Sequence, residues 1–367
     1  MTWNPQITAA FARGRGQFCI ALAELEYDDL FTAVIEYDDR FPQPWSRTDI
    51  EREINAIAPP DSLSGGSDRF ALLSHEGDFY ITGPGSVQEK LPGAGLQSPD
   101  AVRGTMFGLG LVAGRLWAVG ANEQVYRRDD VGQWTFREIN LPSPPGFEKP
   151  RFGVVAGASE QDLYVAGLAS PQSARLDPKV RERLMAGGAS WAEWNAAHAA
   201  AKKAAPSAGL ETEGRAIHWD GTTWSAITLP GRFPPTVKDI LIEGPDRVWM
   251  VGSHGLILVG NAKSGFLDMG FDGDQQTLLS ITRFQGRYIV ASDYELHEFD
   301  GHMLSTIKPT LHRKGRPTPF KVQAVDDVMF YFDYKQGVHR WDGKSWEEIV
   351  IPKNLLQREF SGLGTRR

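Results

Sequence analysis

Arg115-Leu116-Trp117-Ala118-Val119-Gly120 is the phrase on which the fold turns, because it returns along the chain. It consists of a polar residue, an apolar or aromatic run, and then glycine or another small or polar residue. Asp162-Leu163-Tyr164-Val165-Ala166-Gly167 and Arg247-Val248-Trp249-Met250-Val251-Gly252 repeat it closely. Looser copies are Arg287-Tyr288-Ile289-Val290-Ala291 and Val328-Met329-Phe330-Tyr331-Phe332, with Arg69-Phe70-Ala71-Leu72-Leu73 and Gln17-Phe18-Cys19-Ile20-Ala21 earlier. The third residues fall at positions 19, 71, 117, 164, 249, 289 and 330, with spacings of 52, 46, 47, 85, 40 and 41. The long spacing contains an insertion. With it removed, the period lies near 40–47, the length of a four-stranded propeller blade.

A second phrase follows the first. Ala216-Ile217-His218-Trp219-Asp220-Gly221 leads to Trp224, and Val338-His339-Arg340-Trp341-Asp342-Gly343 leads to Trp346. Leu296-His297-Glu298-Phe299-Asp300-Gly301 lacks the tryptophan, and Val125-Tyr126-Arg127-Arg128-Asp129 reaches Trp134 through Gly132. Asp-Gly between two β-rich runs predicts a two-residue type I′ hairpin turn. The strand after the turn then runs out at a proline: Pro92, Pro142, Pro230, Pro309 or Pro352. Proline cannot donate a ladder hydrogen bond, so it marks the end of an outer strand. Each repeat thus reads as four strands, beginning with an inner one such as Gly104–Val112. A lone four-stranded sheet cannot bury both faces, so the blades must stack around an axis. The recurring Trp and Tyr are then core residues packed between blades.

These phrases resemble those of bacterial seven-bladed β-propellers built on Val-Trp-x-Val-Gly and His-Trp-Asp-Gly-x-x-Trp repeats. That group is similar to the Asp-box and photosystem-assembly-factor propellers, and more distantly to kelch and WD40 repeats. The resemblance implies an all-β fold, a seven-bladed β-propeller of four-stranded antiparallel blades, over residues 1–367 as one domain. It does not imply a function, since such propellers host enzymes, assembly factors, lectin-like binders and scaffolds. Blade one is the least regular, with acidic pairs at Glu26-Tyr27-Asp28-Asp29 and Glu36-Tyr37-Asp38-Asp39. Six blades plus an N-terminal cap is the alternative. Residues 353–367 read either as a closing strand or as a disordered tail.

Residues 169–213 interrupt blade four between its second and third strands. Asp177-Pro178 supplies an N-cap and a proline at the first helical position, predicting a helix to about Ala186 that stops at Gly187-Gly188. Ser190-Trp191-Ala192-Glu193 is a capping box opening a second helix to about Ala204, with Pro206 beyond. Trp191, Trp194 and His198 share a face of that helix. They either fasten the hairpin to the propeller or present it to a partner, and both hold if opposite faces are used.

Composition narrows the function. The chain has 367 residues, 41% apolar and 23% charged, and a net charge of −7. These are globular values, and the acidic balance argues against a nucleic-acid binder working through a basic surface. No apolar run is long enough to span a membrane, and Met1–Gln6 does not open a secretory signal, so a cytoplasmic protein is expected. A single cysteine, Cys19, excludes a disulfide framework and a multi-Cys zinc site; inside a strand it reads as a buried, inert thiol.

Loops joining strands two and three of every propeller blade emerge on one face around the channel. That ring includes His75-Glu76, Asn122-Glu123, Ser253-His254, Asp293-Tyr294 and Asp333-Tyr334-Lys335, and the insertion enters it. A ring this varied suits a binding surface on a rigid scaffold. Each tip can equally be a solvated hairpin end. Catalytic signals are sparse. There is no Gly-x-Ser-x-Gly elbow and no phosphate-binding loop. Eight histidines show no metal-ligand spacing, although His75 and His254 could meet across the ring. Phe271-Asp272-Gly273-Asp274 matches a calcium loop only in part. A basic patch at His312-Arg313-Lys314-Gly315-Arg316, flanked by Lys308 and Lys321, is a solvated loop or a contact for an acidic partner. The sequence is therefore expected to encode a non-enzymatic, monomeric protein-binding propeller without cofactor or metal. An immunity or adaptor protein that holds a toxin or a secretion component is the specific form. Trp191, Trp194, His198, His75, Glu76, Asn122, His254, Tyr294 and Tyr334 are its candidate contacts. A hydrolase or lyase acting at the channel mouth is the alternative.

Overall fold

The computed structural model describes residues 5–24, 30–66, 68–83, 86–96, 103–172, 178–186, 191–204, 209–231, 234–271, 275–309, 317–335 and 337–357. These form seven antiparallel sheets of four strands, each built from four consecutive strands of the chain. The second strands are Gln17–Ala23, Ala71–Ser74, Arg115–Gly120, Asp162–Ala169, Arg247–Gly252, Arg287–Ser292 and Val328–Asp333, one for each copy of the repeated phrase. The first strands line the central channel, each contacting the first strands of its neighbours: Gln6–Gly14, Ile54–Ala58, Met106–Val112, Arg151–Ser159, Val237–Gly244, Leu278–Phe284 and Pro319–Val325. Blade one is a full blade, completed by Thr32–Asp38 and Trp45–Ile50, so the six-blade alternative falls away.

The aromatic residues of the repeat fill the spaces between blades. Trp117, Tyr164, Trp249 and Tyr331 are buried. Ring pairs cross the junctions: Phe79 with Trp134 at 5.1 Å, Trp249 with Tyr288 at 4.4 Å and Phe284 with Trp341 at 5.3 Å. Blades two and three also share a buried ionic cluster. Arg128 donates to Asp61 at 2.7 Å and to Glu89 at 2.5 and 3.1 Å, with all three side chains at 2% exposure or less. Trp134 Nε1 donates to Glu89 at 2.7 Å, and the guanidinium lies 4.9 Å from the Phe79 ring.

The repeated small or polar residue has a geometric cause. In every blade the first strand carries one extra residue near its start, opposite the end of the second strand: Thr8, Asn55, Phe107, Gly153, Lys238, Leu279 and Phe320. The bulge pushes backbone against the end of the second strand. A Cβ added at Gly120, Gly167 or Gly252 would lie 2.5, 2.0 or 2.0 Å from a carbonyl oxygen of the first strand or the chain entering it. Where the position holds a polar residue, that side chain ties down the turn that follows. Ser292 Oγ accepts from the Glu295 amide at 3.1 Å, and Asp333 accepts from Lys335 N at 2.9 Å.

The Asp-Gly turns differ from the type I′ expectation. Gly221, Gly301 and Gly343 have positive φ (95°, 99° and 94°), and the preceding aspartates do not. Asp220 and Asp342 instead accept two backbone N–H groups each from the residues two and three further on, at 2.7–2.8 Å. These hydrogen bonds hold both carboxyls below the usual carboxylate range. The loop is therefore four residues long, closed by the pairs Trp219–Trp224 and Trp341–Trp346.

The ring closes without exchanging strands. Ile7, Phe18, Ile20 and Ile35 of blade one share a core with Phe330, Phe332 and Val338 of blade seven. Lys321 Nζ donates to Ala10 O at 2.6 Å, and the Gln323 amide both donates to and accepts from the Ala12 backbone, at 2.6 and 2.9 Å. In the described part of the tail, Lys353–Leu356 is one short 3-10 turn. Arg47 of blade one donates to the Leu355 and Gln357 carbonyls at 2.8 and 2.5 Å, so the tail straps the junction from outside. Residues 358–367 lie outside the described residues.

The insertion leaves blade four after Ala169 and returns at Glu213, which pair with each other. It holds two helices in contact, α1 (Pro178–Ala186) and α2 (Trp191–Ala204), the spans expected from the sequence. The caps Asp177 and Ser190, the stop at Gly187-Gly188, and Pro206 lie outside the described residues. The base of the insertion is stitched to the connection between blades three and four. Phe147 and Pro171 form an antiparallel bridge, Glu148 N donates to Ser170 O at 2.9 Å, and Gln172 N donates to Gly146 O at 2.7 Å.

Candidate functional site

The second-to-third turns gather on one face with the segments that enter the first strands. Backbone hydrogen bonds join the two sets within blades: His75 N to Glu53 O at 3.0 Å, Ala121 N to Thr105 O at 2.8 Å, Ser253 N to Thr236 O at 2.9 Å and Tyr334 N to Thr318 O at 3.0 Å. They also run to the next blade: Met106 N to His75 O at 2.8 Å, Glu123 N to Pro150 O at 2.8 Å and Gly255 N to Gln276 O at 2.8 Å. These described main-chain groups of the face are thus engaged in holding the ring.

Several expected contact residues also serve the ring. His75 is half-buried, with Nδ1 3.0 Å from Glu53 Oε2 and its ring edge-on to Phe107 at 5.7 Å. Glu76 accepts from Leu96 N at 3.0 Å and so anchors the connection between blades two and three. Asn122 has φ +53° and donates to Arg103 O at 2.7 Å. Tyr334 packs on Phe320 at 4.8 Å, its carbonyl accepts from Ile7 N at 3.3 Å, and burial pushes its phenol up. His254 and Tyr294 are exposed, Tyr294 by 44%. Trp191, Trp194 and His198 sit on α2, and their side chains lie outside the described residues.

His75 and His254 stand on blades two and five, with blades three and four between them. Among the described residues no three His, Cys, Asp or Glu gather in a way that could hold a metal ion. Asp272–Asp274 of the partial calcium motif and His312–Arg316 of the basic patch lie outside the described residues. Lys321, which flanks that patch in sequence, is itself among the described residues. It turns into the junction of blades seven and one, where burial lowers its ammonium to about 8 against the opposing charge of Asp239. Cys19 is buried, and burial, with Glu36 nearby, pushes its thiol up.

Sequence reasoning overlooked the bulge residues at the start of the first strands, which stand on this face on the strands that line the channel. On blades one and two they bridge to the next blade: Thr8 Oγ1 donates to Ile54 O at 3.1 Å and Asn55 Nδ2 to Met106 O at 2.5 Å. Blades three to five carry Phe107, Gly153 and Lys238 there instead. Arg151, two residues before Gly153, lies 5.9 Å from the Phe107 ring. Aligning the seven first strands on the bulge would have exposed this change. No strict motif marks the bulge, so the repeat had to be aligned through the second strands.

No protein-family model matches the chain. In sequence it is similar to the immune protein Tsi7 of Pseudomonas aeruginosa, 27% identical over 282 residues that span 76% of this chain and 74% of that protein. In fold it is similar to the WD40 propeller domain of Doa1 (TM-score 0.56, 9% identity, 95% of each chain). It is similar also to YCF48 from Cyanidioschyzon merolae (TM-score 0.56, 10% identity, 92% of this chain and 95% of that one). A structure of YCF48 bound to D1 peptide matches equally well (TM-score 0.56, 11% identity, 93% and 95%). At these identities the solved structures speak for the fold: the chain is an all-β, seven-bladed propeller.

Proposed function

We propose that this propeller is a protein-binding module of the immunity kind, which holds a toxin inactive by covering it with the face that carries the second-to-third turns and the helical insertion. The observation that carries the reading is the combination on one face of a rigidly stitched ring and an inserted helical hairpin. A rigid scaffold lowers the ordering cost of association, and insertions in repeat proteins map to binding faces. The similarity to the immune protein Tsi7 supports the toxin as partner. The peptide-bound YCF48 structure supports a protein ligand for a fold of this kind. His254, Tyr294 and α2, with Trp191, Trp194 and His198, form the contact surface. The encounter is placed in the cytoplasm, with the propeller a monomer before binding; fractionation of the producing cell and light scattering test those two points.

The test exploits the direct pairing of Ala169 with Glu213. Because the insertion leaves and returns at adjacent points, residues 172–212 can be replaced by a short Gly/Ser turn without opening the blade. Intact and trimmed proteins are used as bait in extract of the native cell. The captured protein is then expressed with and without the propeller. A partner held by the intact bait, lost from the trimmed one, and toxic only when alone is the expected result. A partner that is harmless alone would turn the reading to an adaptor. Two baits that return empty would overturn protein binding altogether.

A further inference from the structure

Blade four leaves a gap in the bulge ring. Its bulge residue is Gly153, exposed and outside the left-handed region, so the backbone does not require glycine there. A Cβ added to it would meet nothing within 4 Å. On one side of this notch stands Phe107 of blade three, on the other Lys238 of blade five, with Arg151 reaching to within 5.9 Å of the Phe107 ring. His75 closes the far edge of Phe107, already engaged with Glu53.

Arg151 and Lys238 are both exposed and stand on the first strands of neighbouring blades four and five. Desolvation, with repulsion from Arg151, pulls the Lys238 ammonium below its ordinary range. Among the described residues neither is paired with a carboxylate: Asp239, next to Lys238, has its oxygens engaged by Ser280 Oγ at 2.7 Å and by the amides of Ile281 and Ile240 at 2.9 Å. Two like charges on neighbouring strands without a counter-ion favour an incoming anion. This cationic notch belongs to a chain of net charge −7, so it also directs an acidic group to one point of the channel mouth.

We infer that the Phe107–Arg151–Gly153–Lys238 notch receives an acidic side chain of the partner protein, its carboxylate between Arg151 and Lys238 and its stem against Phe107. The inference rests on the protein-binding reading and adds the chemistry of one contact. Guanidinium with carboxylate gives a directional, charge-assisted pair, and the notch has room for a side chain beside the strand.

The probe is a fluorescein-labelled peptide, Gly-Ser-Glu-Asp-Glu-Ser-Gly, compared by fluorescence anisotropy with its amide counterpart, Gly-Ser-Gln-Asn-Gln-Ser-Gly. The full-length chain is used as wild type and as Arg151→Gln, Lys238→Gln and Gly153→Leu. Binding of the acidic peptide alone, weakened about tenfold or more by each substitution and by salt, is expected. Gly153→Leu changes no charge, so its loss reports the notch, provided its melting temperature stays within a few degrees of wild type. Equal binding by all four proteins, no binding, or displacement by equimolar inorganic phosphate would overturn the inference. The same variants serve as bait in the partner capture. Capture by all of them but not by the trimmed protein removes the notch and leaves the protein-binding reading standing. Peptide binding at the notch with no captured protein supports the notch and removes that reading.

Discussion

Replacing Arg128 with methionine removes the cation from a pocket that holds two buried carboxylates. Asp61 and Glu89 flank Arg128 at 0% and 2% side-chain exposure, so neither can turn to water. Methionine roughly matches the aliphatic stem of arginine, which keeps the cavity small and isolates the electrostatic effect. Breaking a buried ion pair by removing one partner costs about 3–5 kcal/mol. With two carboxylates abandoned, the upper half of that range is expected. Unfolding entropy near ~2.1 cal/mol/K per residue gives ~0.8 kcal/mol/K for 367 residues, so a loss of about 4 kcal/mol lowers the melting temperature by about 5 °C. Differential scanning calorimetry measures the shift. The companion variant adds Asp61→Asn and Glu89→Gln, which removes the stranded charges and should recover at least half of the loss. A shift under about 1 °C for Arg128→Met, or a triple variant as unstable as the sum of its parts, would refute the claim that the three groups act as a coupled unit joining blades two and three.

Other consequences follow from the geometry. Gly167→Ala places a Cβ 2.0 Å from Arg151 O, and the forced backbone shift should cost about 1–3 kcal/mol, read from denaturant midpoints at unchanged slope. Lys321 has its ammonium lowered to about 8 in the fold, so between about pH 8 and its ordinary value near 10.5 the unfolded chain binds more protons. Its contribution to stability should therefore rise with pH across that window, and Lys321→Met should flatten this part of the urea-midpoint profile; an unchanged slope would refute it. Tyr164 is pushed up to about 12, chiefly by burial, so its phenol should stay protonated at pH 11 in the folded protein and Tyr164→Phe should leave the ultraviolet absorbance step up to that pH unchanged; a step smaller by one phenolate would refute it.

The second strands were legible because their constraint is local and repeated. Val119-Gly120 and Val251-Gly252 mark the point where the neighbouring strand bulges and no Cβ fits. The helices of the insertion were legible in the sequence, and α1 and α2 occupy Pro178–Ala186 and Trp191–Ala204 within the expected spans. Turn chemistry was harder: Asp-Gly correctly located the hairpins at 220, 300 and 342, but aspartate acts there as a backbone acceptor and only glycine takes positive φ. The candidate site was legible as a set of turns and illegible in its working side chains. His75, Glu76 and Asn122 looked like free polar tips, yet each is bound to a segment about twenty residues away in sequence.

The period of the chain by itself determined the four-strand order of each blade and the place of the insertion, because each blade is a contiguous piece whose signals lie within about fifty residues; the full first blade, and with it the count of seven, came from the structure. Only the tertiary structure decided how the ring is sealed, with Lys321 and Gln323 reaching Ala10 and Ala12 across 311 residues of sequence. It also decided that Phe107, Arg151, Gly153 and Lys238, from three blades, frame one notch. Those contacts depend on the angle between neighbouring sheets, and that angle is set by the packing of whole blades, which no single stretch of sequence encodes.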